Sequence, residues 1–208
     1  MLQKSKPIQL SAINLLVALL LLATAAHAGL PTDQIRATVD KAVVVLLDPR
    51  LKAAAKTKER RAQLKQIFFT RFDFTEMAKR SLGANWRRRT PQEQEEFVRL
   101  FTDVLERAYA DIIESYSDEK IVYINERIDA QYADVNSKVV TAKGQEYTIN
   151  YKAHLVGSEW KIYDVVAENI SLVNNYRSQF TRVIAKESYE ELVRRLKDKS
   201  EFAGAPEK

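Results

Sequence analysis

Cysteine is absent from this sequence of 208 residues. Its absence excludes disulfides, thiolate metal sites, cysteine nucleophiles and attachment of lipid to a cysteine. In an oxidising compartment, stability would therefore rest on packing alone. Glycine is scarce, with five in all, and these form no glycine-rich phosphate loop. Histidine is scarcer still: His27 lies in the N-terminal segment and His154 is the other. Ser-His-Asp chemistry would depend on His154, which sits in a strand pattern beside Lys152 and is expected on a solvated face. Beyond the N-terminus, no apolar run approaches the ~20 residues that a bilayer-spanning helix needs. No strong charge of one sign is present either. The formal net charge of +5 falls to +3 without residues 1–28, which contain Lys4 and Lys6 and no acid. That is mildly basic and short of a nucleic-acid binder's basic stripe.

The N-terminus has a leader's pattern. Lys4 and Lys6 precede an apolar run from Ile13 to Ala26, and Ala26-His27-Ala28 is a small-x-small cleavage box. A signal peptide is therefore expected over residues 1–28, with cleavage after Ala28 and secretion. A single domain would follow over 29–199. Residues 200–208, polar and containing Gly204 and Pro206, form an expected disordered tail.

Within the domain, helical spacing comes first. Ile35, Val39, Val43, Leu46 and Leu47 mark a helix over 32–47 that Asp48-Pro49 stops. A second helix is expected over 60–69, with Leu64, Ile67 and Phe68 on one face. Asp73 and Glu76 form a capping-box pattern for a third helix, which Gly83 ends. Thr90-Pro91-Gln92-Glu93 opens the longest one, with Phe97, Leu100, Phe101, Val104, Leu105, Ala108, Tyr109, Ile112, Ile113 and Tyr116 behind it. The period then becomes two. Strands are expected over 121–124, 133–140, 146–156 and 159–166, with turns at Lys143-Gly144 and Gly157-Ser158. Helices resume after Ser171 and Ser188. The fold class is α+β, an antiparallel sheet of about four strands with helices on one face.

Few residues invite chemistry. Asp164 lies in an apolar strand, where a raised pKa could make it a general base, as in cone-shaped α+β isomerases. Alternatively, it bonds backbone amides or a basic partner where the strand ends. Trp86-Arg87-Arg88-Arg89 is either a solvated connection or a docking patch for an acidic protein or lipid headgroups. The aromatic stripes suit a filled core or a hollow one, and periodicity does not separate the two.

Taken together, the motifs resemble the MlaC-type proteins, also called the toluene-tolerance family. The resemblance rests on Phe72-Asp73-Phe74-Thr75-Glu76-Met77-Ala78, Leu82-Gly83, Trp86-Arg87, Thr90-Pro91-Gln92-Glu93-Gln94, Phe97 and Tyr109. It continues through Trp160-Lys161-Ile162-Tyr163-Asp164-Val165 and the run Ser171 to Phe180. One departure is Asn169, where the family usually carries glycine, which bears on the local backbone and the mouth of the cavity. The resemblance implies a periplasmic phospholipid carrier without catalytic activity or cofactor, whose curved sheet and helices enclose an apolar cavity for a diacyl lipid. It also implies two partners: an outer-membrane lipoprotein–porin complex and the lipid-binding ring protein of an inner-membrane ABC transporter. On that basis the cavity walls are expected from Phe74, Leu82, Phe101, Leu105, Tyr109, Ile112, Tyr151, Val165, Leu172, Tyr176 and Phe180. The alternatives are a carrier of another lipid such as a hopanoid precursor, an isomerase-like enzyme using Asp164, and a structural envelope protein.

Overall fold

The computed structural model describes residues 30–198 and Phe202. The leader, its cleavage site and the tail apart from Phe202 lie outside the described residues. Helix α1 (Pro31–Leu47) starts with proline at its first position, where the missing N–H costs nothing. It buries Ile35, Ala42, Val45 and Leu46 along one stripe. Asp48 then turns the chain, accepting from Arg50 N at 2.9 Å. Helix α2 (Thr57–Arg71) is longer than the sequence suggested and fully buries only Leu64.

Helix α3 (Phe74–Leu82) shows a half-made capping box. Asp73 accepts from Glu76 N at 2.8 Å, but the reciprocal bond is not formed. The Asp73 N–H is already donated to Ile162 O at 2.8 Å, and Glu76 pairs with Lys79 and Arg80. A tertiary bond has displaced a local one. Gly83 ends α3 at φ +60° and leads into a 3-10 segment, Gly83–Arg88. Helix α4 (Pro91–Glu114) has the full box: Thr90 Oγ1 accepts from Glu93 N at 3.2 Å, and Thr90 N donates to the Glu93 carboxylate at 2.7 Å.

Strands β1 (Lys120–Asp129), β2 (Tyr132–Val140), β3 (Glu146–Val156), β4 (Glu159–Ala167) and β5 (Ile170–Ser171) form one antiparallel sheet in chain order. β1 outruns its expected end at Ile124 because a register shift between Tyr123 and Asn125 breaks the alternation that marks it in sequence. β5, only two residues long, is the addition to the expected four. The Glu168-Asn169 turn before it takes φ values of +48° and +65°. Asparagine thus holds the left-handed conformation that glycine would adopt more easily. Helices α5 (Leu172–Lys186) and α6 (Tyr189–Lys197) follow, capped by Ser171 and Ser188.

Burial divides into three clusters. The largest joins α3, α4, α5 and α6 through Phe97, Phe101, Tyr176 and Phe180, with Phe101 and Phe180 edge to face at 5.6 Å. The second sets Ile35 of α1 against Val135, Tyr151, Ala153, Trp160 and Ile162 of the sheet. The third ties α1, α2 and the end of α4 through Leu46, Leu51 and Leu64. The sheet's other face is less wet than its residues suggest. His154, expected on a solvated face, keeps 19 % side-chain exposure and places Nε2 3.0 Å from Asp73 Oδ2. The α2–α3 connection covers it.

Candidate functional site

The α2–α3 connection is pinned at three atoms of one residue. The Asp73 backbone N–H bonds Ile162 O, Oδ1 accepts from Glu76 N, and Oδ2 meets His154. Phe72 bridges Ile162 on the sheet. Four phenylalanines surround this knot. Phe68 meets Phe72 edge to face at 5.8 Å, Phe72 stacks on Phe74 at 5.9 Å, and Phe69 lies 4.7 Å from Phe74. Phe69 is 48 % exposed, although a phenylalanine loses more free energy in water than almost any other side chain.

Phe69 and Phe74 open onto a groove of about 830 Å³, within the usual size range of small-molecule sites. Phe72, Trp86, Val98 and Val156 complete its apolar lining, and Lys65, Arg99, Lys161, Glu95 and Asp103 stand among the polar residues around it. Thr102 also lines it, with its hydroxyl turned into the helix to donate to Val98 O at 2.8 Å. Charged ties connect α2 and α4, the helices that carry these two walls. Lys65 pairs with Glu106 at 2.7 Å, while Arg60 and Arg61 reach Glu114 at 3.0 and 2.8 Å. The Arg61 guanidinium, with Arg60 beside it, holds the Glu114 carboxyl below the usual carboxylate range. A second recess, of about 430 Å³, lies on the other side of Trp86.

The residues expected as cavity walls fall in three places. Leu82, Phe101, Leu105, Tyr176 and Phe180 are buried together in the largest cluster, with Phe74, Tyr109 and Leu172 packed at its border. Burial pushes the Tyr109 hydroxyl up to about 12 and raises that of Tyr176 as well. Tyr151 and Val165 belong to the α1 cluster. A bulge leaves Tyr163 as the extra residue of β4, so Val165 pairs with Tyr151 while Asp164 pairs with Lys152. Ile112 is 54 % exposed on α4. Of all these, Phe74 alone lines the groove.

Phe69, Phe72, Val98, Thr102 and Val156 are among the groove residues absent from that expectation. A signal for Phe69 existed. Neighbouring helical residues point about 100° apart, so with Phe68 facing the third cluster, Phe69 must leave it.

The arginine tetrad is split. Arg87 and Arg88 are exposed, whereas Arg89 lies 4.4 Å over the Tyr189 ring and reaches Glu93 at 3.4 Å. Asp164 is 5 % exposed, and both its oxygens are engaged. Oδ2 accepts from Ser171 Oγ at 2.6 Å and Oδ1 from Val173 N at 3.0 Å, which ties β4 to the start of α5. This is the structural alternative to a general base. Among the described residues, no group of three or more His, Cys, Asp or Glu is placed to hold a metal ion. No helix among them is long and apolar enough to cross a membrane.

Comparison with known proteins agrees on one family. Residues 36–198 match the family model described as MlaC protein. The chain is 22 % identical over 120 residues to the intermembrane phospholipid transport system binding protein MlaC of Haemophilus influenzae, covering 55 % of this chain and 56 % of that one. It is 27 % identical over 95 residues to the toluene tolerance protein ttg2D of Pseudomonas putida, covering 45 % and 44 %. The chain thus spans about half the length of these relatives. The solved structure of a Ralstonia solanacearum phospholipid-binding protein, in complex with a phospholipid, superposes with a TM-score of 0.71 at 24 % identity. That match covers 80 % of this chain and 94 % of the other, and it is a likeness of fold.

Proposed function

Because the chain belongs to the MlaC family, we propose that it is a periplasmic phospholipid carrier that performs no covalent chemistry. The observation that carries the reading is the open groove of about 830 Å³ lined by Phe69, Phe72, Phe74, Trp86 and Val98. Apolar surface of that extent on a chain without a membrane-spanning helix among its described residues calls for an apolar occupant. Each methylene removed from water gains ~0.8 kcal/mol. A dozen methylenes are therefore worth roughly 10 kcal/mol, enough to hold a lipid without any hydrogen-bond code. The acyl chains lie along the groove. They end at Phe74, which touches both the groove and the largest cluster.

The same magnitude opposes release, so unloading needs a partner that reshapes the site or offers an equally apolar destination. The partners in this reading are an outer-membrane lipoprotein–porin complex and the lipid-binding ring protein of an inner-membrane ABC transporter. Shuttling between them would maintain the lipid asymmetry of the outer membrane. Exposed Arg88 supplies positive charge for docking to an acidic ring surface.

Protein purified without detergent should carry about one diacyl phospholipid by native mass spectrometry and lipid extraction, the count resting on the groove of about 830 Å³. A bare polypeptide mass, or a polycyclic lipid without phosphate, would overturn the reading. Export has its own check, since the purified periplasmic protein should begin at Gly29.

A further inference from the structure

The recess of about 430 Å³ is lined by several basic side chains. Lys79, Arg80, Arg87, Lys152 and Arg177 all line it, and Asp164 is the one acid in its wall. That acid is spent on Ser171 Oγ and Val173 N. Three of the cations have partners elsewhere. Lys79 and Arg80 share Glu76, each at 2.9 Å, and Lys152 holds Asp134 at 2.9 Å. Arg87 and Arg177 form no ion pair among the described residues.

The position of Arg177 is built in. A Cβ added at Gly83 would lie 3.0 Å from Arg177 Nε and 3.4 Å from its Cζ, so the guanidinium rests against bare backbone at the foot of the recess. Gly83 also needs its φ of +60° to end α3, so one glycine serves the helix terminus and the arginine together. Val173 and Asn174 of the first turn of α5 close the same wall, their amides engaged by Asp164 and Ser171.

Trp86 lines both the recess and the apolar groove. A concave cationic space and a long apolar one thus share a single indole wall. From this juxtaposition we infer that the recess is the phosphate site of the cargo, with Arg87 and Arg177 donating to its oxyanion while the chains occupy the groove across Trp86. Guanidinium–phosphate contacts are short, charge-assisted and geometrically selective. The site therefore selects lipids that carry a phosphate over apolar lipids of equal chain length. This inference rests on the carrier reading and adds its specificity. The shared chemistry is a phosphate oxyanion, from a lipid headgroup or from a free phosphate.

The test uses delipidated protein exposed to vesicles doped with equal amounts of dioleoylphosphatidylglycerol or dioleoylglycerol, with bound lipid read by native mass spectrometry. Wild type should favour the phosphate-bearing lipid by about tenfold or more, the scale of one or two charge-assisted hydrogen bonds. Arg87→Gln with Arg177→Gln should remove most of that preference and leave dioleoylglycerol uptake unchanged. Arg177→Lys, which keeps the charge and loses the fork, should fall between. Both arginines are exposed, so the variants should keep the parent's circular dichroism. Gly83→Ala supplies a second approach, reducing the preference by displacing Arg177.

Three outcomes would overturn the inference. In one, wild type takes the two lipids equally; in another, the double variant keeps the full preference. In the third, inorganic phosphate stabilises wild type but not the double variant while lipid selection is identical in both, which assigns the recess to a free anion. Uptake of neither lipid by wild type would instead remove the carrier reading on which the inference stands.

Discussion

Two regions of this molecule are equally aromatic and differently built. Phe180 meets Phe97 and Phe101 edge to face at 5.7 and 5.6 Å, and these rings are sealed by α3, α5 and α6. Around Phe69, Phe72 and Phe74 the rings also touch, yet the space beyond them is open. Helix α4 serves both, presenting Phe97 and Phe101 to the packed side and Val98 and Thr102 to the groove. Dispersion and burial hold the first region together. The helices flanking the second are linked by ion pairs that reach across from α2 to α4. The lesson is that aromatic richness does not distinguish core from site; what distinguishes them is whether a second element closes over the rings.

The contrast is broken most directly at its packed end. Phe101→Ala should cost about 3–5 kcal/mol in denaturant unfolding, the usual range for a fully buried phenylalanine. A cost near zero would mean that the largest cluster is hollow. Leu105→Trp is next. At 7 % exposure inside that cluster, it should be overpacked and lose about 1–3 kcal/mol. A midpoint equal to the parent's, with lipid displaced, would instead place Leu105 on a cavity wall.

The charged link between α2 and α4 gives a smaller and pH-dependent effect. Glu114 has a folded pKa below its unfolded value, so its contribution is present above the ordinary carboxylate range and is lost as pH falls through the folded value. Glu114→Gln should cost about 1 kcal/mol at neutral pH, discounted because Arg61 is 41 % exposed. Urea melts of variant and parent should converge in acid, and a constant difference between pH 7 and pH 3 would refute the link. The smallest stability change belongs to Phe69→Ala, within about 0.5 kcal/mol as for a surface substitution. Lipid occupancy, read by mass spectrometry, should nevertheless fall. A large loss of stability with normal occupancy would return Phe69 to the core.

Much of the architecture was legible because local signals agreed with the fold. Thr90 to Glu93 specified a helix start, and Gly83 a helix end. The alternation from Glu146 to Val156 specified a strand. Where the sequence misled, a tertiary contact had overruled a local one. Asp73 gave its N–H to Ile162 rather than to Glu76, and His154 gained a cover from a connection far away in sequence. The groove escaped notice for another reason. Its walls come from α2, α4 and the β3–β4 hairpin, and no single periodicity joins Phe69, Val98 and Val156. Helical stripes reveal which residues face inward but not whether the interior they face is full.

Strand order that follows chain order carries a consequence for how the molecule assembles. β1 to β5 can form by successive hairpins, each closing a short loop, whereas the helices before the sheet pack on those after it, as α3 and α4 do on α5 and α6. Helix α1 waits longest. Thr32 bonds Glu126 and Gln34 bonds the Trp160 backbone, across 94 and 126 residues of chain. In a polypeptide that emerges N-terminus first, the apolar stripe of α1 is delivered earliest, and its seat on β4 follows 126 residues after Gln34. During that interval Ile35 and its neighbours have no surface to cover them. Aggregation and chaperone capture therefore have their natural opening at the first helix, not at the groove.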